Sequence, residues 1–106
     1  MNVRAAKRVA GIDVHRMKHV VTVLIDREDG AVLSETRAFG GFKRDMRALV
    51  AWLQMHRIQQ AVMESTGIYW KSVFAHLEAA SIPAHKLVRT IFCVLVRRNP
   101  TPESRR

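Results

Sequence analysis

Cysteine is nearly missing from this chain: among 106 residues only Cys93 is one. That excludes an internal disulfide and any zinc site built on thiolates, and it leaves Cys93 to be read as a buried structural thiol in a reducing compartment. Long apolar runs are missing too. Val20 to Ile25, interrupted by Thr22, and Ile91 to Val96 fall far short of the ~20 residues a spanning helix needs. Arg4, Lys7 and Arg8 precede an apolar stretch that is short and contains Asp13, so no signal peptide is read there. The expectation is a cytoplasmic protein with no membrane partner. Acid is scarce as well. Nine Asp and Glu face 18 Lys and Arg, 13 of them arginine, for a net charge of +9. Such an excess favours a polyanionic partner, DNA or RNA first; the plainer alternative is the arginine-rich usage of a GC-rich genome.

What is present fits one globular unit. Apolar residues make up 48% and charged residues 25%, ordinary values for a folded chain of a length that holds one modest core and no second domain. No internal repeat is visible. Val9 to His15 reads as a strand with Ala10, Ile12 and Val14 on one face and Gly11, Asp13 and His15 on the other. After a tight turn at Arg16 to Lys18, His19 to Asp26 is apolar on both faces, as in a central strand. The Asp- and Gly-containing turn at Asp26 to Gly30 returns the chain as a third strand, Ala31 to Phe39, whose imperfect alternation suits a sheet edge.

Phe42, Met46, Leu49, Val50 and Leu53 form the stripe of an amphipathic helix, with Lys43, Arg44, Asp45 and Arg47 outward. Ile58 to Glu64 is a fourth strand. Trp70, Val73, Phe74 and Leu77 mark a second helix, with Ser65 or Thr66 as its expected cap. The order is β-β-β-α-β-α. Beyond Ser81 the pattern fades, since Leu87 to Val96 suits a strand by β-branched content and a helix by spacing. Residues 97–106, with four arginines and two prolines, read as a disordered basic tail.

Two carboxylates stand out, Asp13 in GIDVH and Glu64 in MESTGIYW. Two hairpin reversals and a helical crossover make strands one, three and four point the same way, so both acids lie at the carboxyl end of the sheet, where α/β folds place their sites. Their lateral distance stays open: about 5 Å if strand four adds beside strand one, and about three strand spacings if it adds beside strand three. Adjacent carboxylates call for a divalent cation, whose pairing with oxygen ligands supports phosphodiester cleavage while a basic surface holds the backbone.

GIDVHRMKHVVTVL and MESTGIYWKSVFAHLE together resemble the N-terminal, RuvC-like domain of the DEDD-type insertion-sequence transposases, the IS-one-ten family related to the Piv DNA invertases. The resemblance covers Val9 to Glu78. It implies a ribonuclease H-like mixed sheet with strand four beside strand one, Asp13 and Glu64 as the first two catalytic, metal-binding acids, Mg²⁺ as the ion, and transposition by DNA binding and strand cleavage. Guide RNA is a further partner implied for full-length relatives.

The family's third and fourth acids lie a few tens of residues after the glutamate in a segment that has no counterpart here. Only Glu78 and Glu103 follow Glu64, neither a suitable substitute. The expectation is therefore a truncated, inactive fragment: 1–80 the N-terminal part of the RuvC-like domain, 81–96 divergent, and 97–106 the tail, with the fold incomplete at its C-terminus. A non-catalytic nucleic-acid-binding module is the rival reading. GID also resembles the first strand of actin-like and sugar-kinase ATPases, but those need small residues next, and His15, Arg16, Met17 and Lys18 stand there instead.

Lys43, Arg44, Arg47 and Lys71 are candidate phosphate contacts, with an ordinary solvated helix face as the alternative. Ser65 and Thr66 lack an activating partner for nucleophilic work. Trp70 fits the core stripe better than a stacking role. No histidine pair among His15, His19, His56, His76 and His85 has metal-ligand spacing.

Overall fold

The computed structural model describes residues 7–65 and 67–87. In chain order the elements are β1 (Arg8–Val14), β2 (Lys18–Asp26), β3 (Val32–Gly40), α1 (Lys43–Met55), β4 (Gln60–Ser65), α2 (Trp70–Ala79) and β5 (Ala84–Lys86). The described strands form one five-stranded mixed sheet in the order β3-β2-β1-β4-β5. β1 to β3 make an antiparallel meander, and β4 runs parallel to β1 on its other side. This is the ribonuclease H-like, RuvC-like arrangement, with β3 at an edge as its weak alternation suggests.

Alternation assigns the faces. Ala10, Ile12 and Val14 of β1, Val21 and Val23 of β2, and Ala61 and Met63 of β4 are almost wholly buried in one cluster with Met46, Leu49, Trp52 and Leu53 of α1 and Val73 and Leu77 of α2. Both helices therefore lie on one side of the sheet. Phe39 packs tilted on Trp52 at 5.7 Å, and Trp52 meets His56 edge-on at 4.9 Å. Each fully buried aliphatic side chain contributes roughly 1.5–3 kcal/mol, so the crossover from β3 to β4 is held by α1 rather than by its loops.

Both helices end in the same capping pattern. At the end of α1, Ile58 N–H donates to the Leu53 carbonyl at 3.0 Å and Arg57 N–H to Gln54 at 3.0 Å. After α2, Ile82 N–H donates to Leu77 at 2.9 Å and Ser81 N–H to Glu78 at 2.9 Å. The residue that must turn left-handed is Arg57 (φ 55°) in one case and Ser81 (φ 60°) in the other, where glycine is usual. In both, the apolar residues the motif brings together, Leu53 with Ile58 and Leu77 with Ile82, are buried. At the other end of α1, the Asp45 carboxylate accepts the Phe42 N–H at 3.0 Å, which satisfies one of the helix's free donors.

Two expectations need correction, and the start of the segment left open after Ser81 finds its place. A fifth strand follows α2: Pro83 O accepts from Ala61 N–H and Met63 O from Leu87 N–H, both at 2.8 Å, so residues 84–86 join the sheet beside β4. Ser65 does not cap α2. It is the last residue of β4, and α2 starts from Tyr69 without a side-chain cap, because the strand runs one residue further than its apolar pattern. β4 also begins at Gln60 rather than Ile58, since Arg57 and Ile58 complete the α1 cap. Thr66, residues 88–96 of the ambiguous segment with Cys93 among them, and the tail lie outside the described residues. No described helix is long and apolar enough to cross a membrane.

Candidate active site

Asp13 is the penultimate residue of β1 and Glu64 the penultimate residue of β4. The two are direct register partners in the parallel ladder. Residues so paired project from the same face, and neighbouring strands run ~4.8 Å apart. Ile12 pairs with Met63 one position earlier, and both belong to the core under the helices, with no solvent exposure. Their burial turns Asp13 and Glu64 to the face opposite α1 and α2. Sequence left the distance between these acids open, and the strand order closes it.

Around the pair, Val20 lies beside Asp13 on β2. The next row towards the amino end of β1 holds Thr22, Gly11, Val62 and His85. Thr22 and Thr36 hydroxyls are 2.9 Å apart across the β2–β3 ladder. His15, two residues after Asp13, places Nε2 3.2 Å from Asp13 Oδ1, and its backbone N–H donates to the Lys18 carbonyl at 3.0 Å to close the β1–β2 turn. The Asp13 side chain keeps 20% of its exposure, whereas Glu64 keeps 8%. Asp13 is thus partly sheltered beside His15 and Glu64 is set into the sheet surface.

Two carboxylates on adjacent strands, one of them buried, suit a hard divalent cation. Such an ion takes oxygen donors and, when small like Mg²⁺, binds through one or two protein carboxylates while keeping waters or phosphate oxygens as its other ligands. Among the described residues no group of three or more His, Cys, Asp or Glu side chains surrounds a common point, so the described protein share of such a shell is this pair.

The basic candidates are placed apart from the acids. Lys43, Arg44 and Arg47 are exposed on α1, which packs on the opposite face, and the Arg44 guanidinium sits 5.4 Å from the Phe42 ring centre. Lys71 is exposed in the first turn of α2, at the carboxyl end of β4. Trp70 is half-buried and packs against the core cluster, with Phe74 edge-on at 5.8 Å. Two residues on this edge, His85 and Lys86, belong to β5, and a three-residue strand has no periodicity by which sequence could find it.

The fold is similar to that of Thermus thermophilus RuvC, with a TM-score of 0.62 at 13% identity over 92% of this chain and 74% of that one. T. thermophilus RuvC in complex with a Holliday junction substrate gives 0.61 at 10% identity over 92% and 85%. The fowlpox virus resolvase in complex with substrate Holliday junction DNA gives 0.53 at 9% over 77% and 59%. No curated protein matches the sequence. The family model for DEDD-type IS110 transposases (DEDD_Tnp_IS110, Transposase) matches residues 10–91, past the Glu78 limit of the resemblance read from motifs and through β5. The chain belongs to this transposase family.

Proposed function

We propose that this chain supplies Asp13 and Glu64 as the first two acids of a DNA-strand-cleaving site used in transposition, with Mg²⁺ as the ion they hold. The observation that carries the reading is the register pairing of the two acids on the face opposite the helices. Family membership and the similarity to resolvases, two of them solved with junction DNA, support DNA as the substrate.

When bound, the cation supplies Lewis-acid polarisation of a phosphate oxygen and a more acidic attacking water. The protein's own part is positional. Ile12 and Met63, pinned under the helices, fix the two strands in register. The strands in turn hold the carboxylates side by side, and His15 restricts the rotation of Asp13 from 3.2 Å away. The net charge of +9 draws a phosphate backbone to the protein, and contacts of that kind weaken as salt rises.

These 106 residues bring two acids of a four-acid site. Of the two that follow Glu64, Glu78 is exposed on α2, a helix on the other face of the sheet, and Glu103 stands in the arginine- and proline-rich tail. The proposal is that the 106-residue chain by itself binds DNA and one cation without turnover. A binding assay and a nicking assay in Mg²⁺ on the same purified protein test it. Salt-sensitive binding with no nicked product is expected, whereas cleavage that disappears in Asp13→Ala would show that the two acids suffice.

A further inference from the structure

The geometry points to a second DNA contact, a groove between α2 and β5 that takes unpaired bases of a single DNA strand; this rests on the proposed function above. The groove, about 540 Å³, is lined by Trp70, Lys71, Phe74, Ala84, His85 and Lys86. Its chemistry is aromatic and cationic, with no acid among the described residues that line it. Trp70 and Phe74 stand edge to face with ring centres 5.8 Å apart. The Lys86 ammonium lies 5.2 Å from the centre of the Trp70 ring, within the range of a cation–π contact. That lysine marks an indole face which solvent and ligands can reach.

An aromatic face beside lysines is how proteins hold single strands whatever their sequence, because every base can stack and every phosphate is an anion. A base entering the groove stacks on the face of Trp70 that Lys86 now covers, and the displaced ammonium takes the adjoining phosphate. Lys71, in the next position of α2, is placed for a second phosphate.

The location decides for DNA as the occupant. Lys86 is the register partner of Met63, the residue before Glu64, and Trp70 follows β4 by a short turn. The groove therefore opens at the carboxyl end of β4, the end that carries Asp13 and Glu64, with Trp70, Phe74, Ala84 and Lys86 on the helix side of the sheet and His85, in the row of Gly11 and Val62, on the acid side of β5. A DNA strand leaving the acid pair can pass round this end and lodge its unpaired bases against α2.

The test uses the whole chain in EDTA, which removes the acid pair's cation from the measurement. Binding of a labelled 12-nucleotide oligothymidine, its RNA equivalent and a duplex of equal length is followed by fluorescence anisotropy for the parent, Trp70→Leu, Trp70→Phe and Lys86→Ala. Loss of one stacked base corresponds to roughly 5- to 150-fold weaker binding. Trp70→Leu should fall in that range for the DNA single strand while Trp70→Phe retains most of the affinity. Lys86→Ala, a change at an exposed site, should lower the single-strand salt slope by about 0.7, the value for one phosphate contact. Duplex binding should be unchanged by all three. Unaltered single-strand affinity and salt slope in Lys86→Ala, or tighter binding of the RNA strand than the DNA strand, would overturn the groove assignment. Since the acid pair is silent in EDTA, either result leaves the reading of Asp13 and Glu64 to its own test.

Discussion

Acidification should destabilise this domain through one side chain, His19. The residue is 3% exposed, lies between Val14 and Phe39 in the ladders, and has Nδ1 buried with no hydrogen-bond partner among the described residues. Burial lowers its pKa from the ordinary 6.5, the charge of nearby His15 lowers it further, and Asp45 at the start of α1 opposes both. The folded state therefore takes up a proton on His19 less readily than the unfolded chain, which does so near pH 6.5. Between the depressed folded value and 6.5 the unfolded state binds more protons, so stability is complete above 6.5 and declines as pH falls below it. One group titrating in this way contributes at most ~1.4 kcal/mol per pH unit, against a total of about 5–15 kcal/mol for a domain of this size. With a urea m-value of ~1–3 kcal/mol/M, the unfolding midpoint should drop by up to about 0.5–1.4 M per pH unit within that window. The assay is urea unfolding followed by fluorescence at several pH values across it, for the parent and for His19→Leu, which removes the titration and keeps an apolar side chain. His15, His56, His76 and His85 are common to both proteins, so the difference between the two curves isolates His19. Parallel pH profiles for parent and variant would refute the reasoning.

Leu53→Ala empties a site with no solvent exposure beneath the sheet and should destabilise by about 2–5 kcal/mol in the same urea assay. Asp45→Ala removes the acceptor for the Phe42 N–H and should cost about 0.5–2 kcal/mol, with a matching fall in the thermal midpoint. Ser81→Gly relieves a left-handed serine at φ 60°; it should stabilise by up to ~1 kcal/mol once the greater freedom of glycine in the unfolded chain is set against the relief. A loss of stability there would contradict the α2 cap.

The faces of β1 were legible in sequence because its alternation is clean: Ile12 and Val14 go under the helices and Asp13 goes the other way. β4 carries no such signal. Ala61, Val62 and Met63 are all fully buried, so its apolar run says nothing about which way Glu64 points, and the ladder register with β1 supplies that. Strand directions followed from connection lengths, but lateral order did not, because a parallel strand can enter beside β1 or β3 with equal local chemistry. The resemblance to a known family chose correctly where periodicity was silent. β5 went unseen because three residues after Pro83 are too few to show a period, and with it went Lys86 and the character of Trp70, whose helical spacing fits a core stripe although its ring lines a groove. Ser65 looked like a cap by residue type, and the hydrogen bonding of β4 kept it in the strand.

The central claim is that Asp13 and Glu64 share one cation. The direct measurement is Mn²⁺ binding to the full chain by electron paramagnetic resonance of the free ion, with isothermal titration of Mg²⁺ alongside, for the parent, Asp13→Asn and Glu64→Gln. One ion per chain is predicted for the parent, with each variant weakened about ten-fold or more, the equivalent of ~1.4 kcal/mol, and with circular dichroism unchanged. Equal affinity in all three folded proteins would contradict the account.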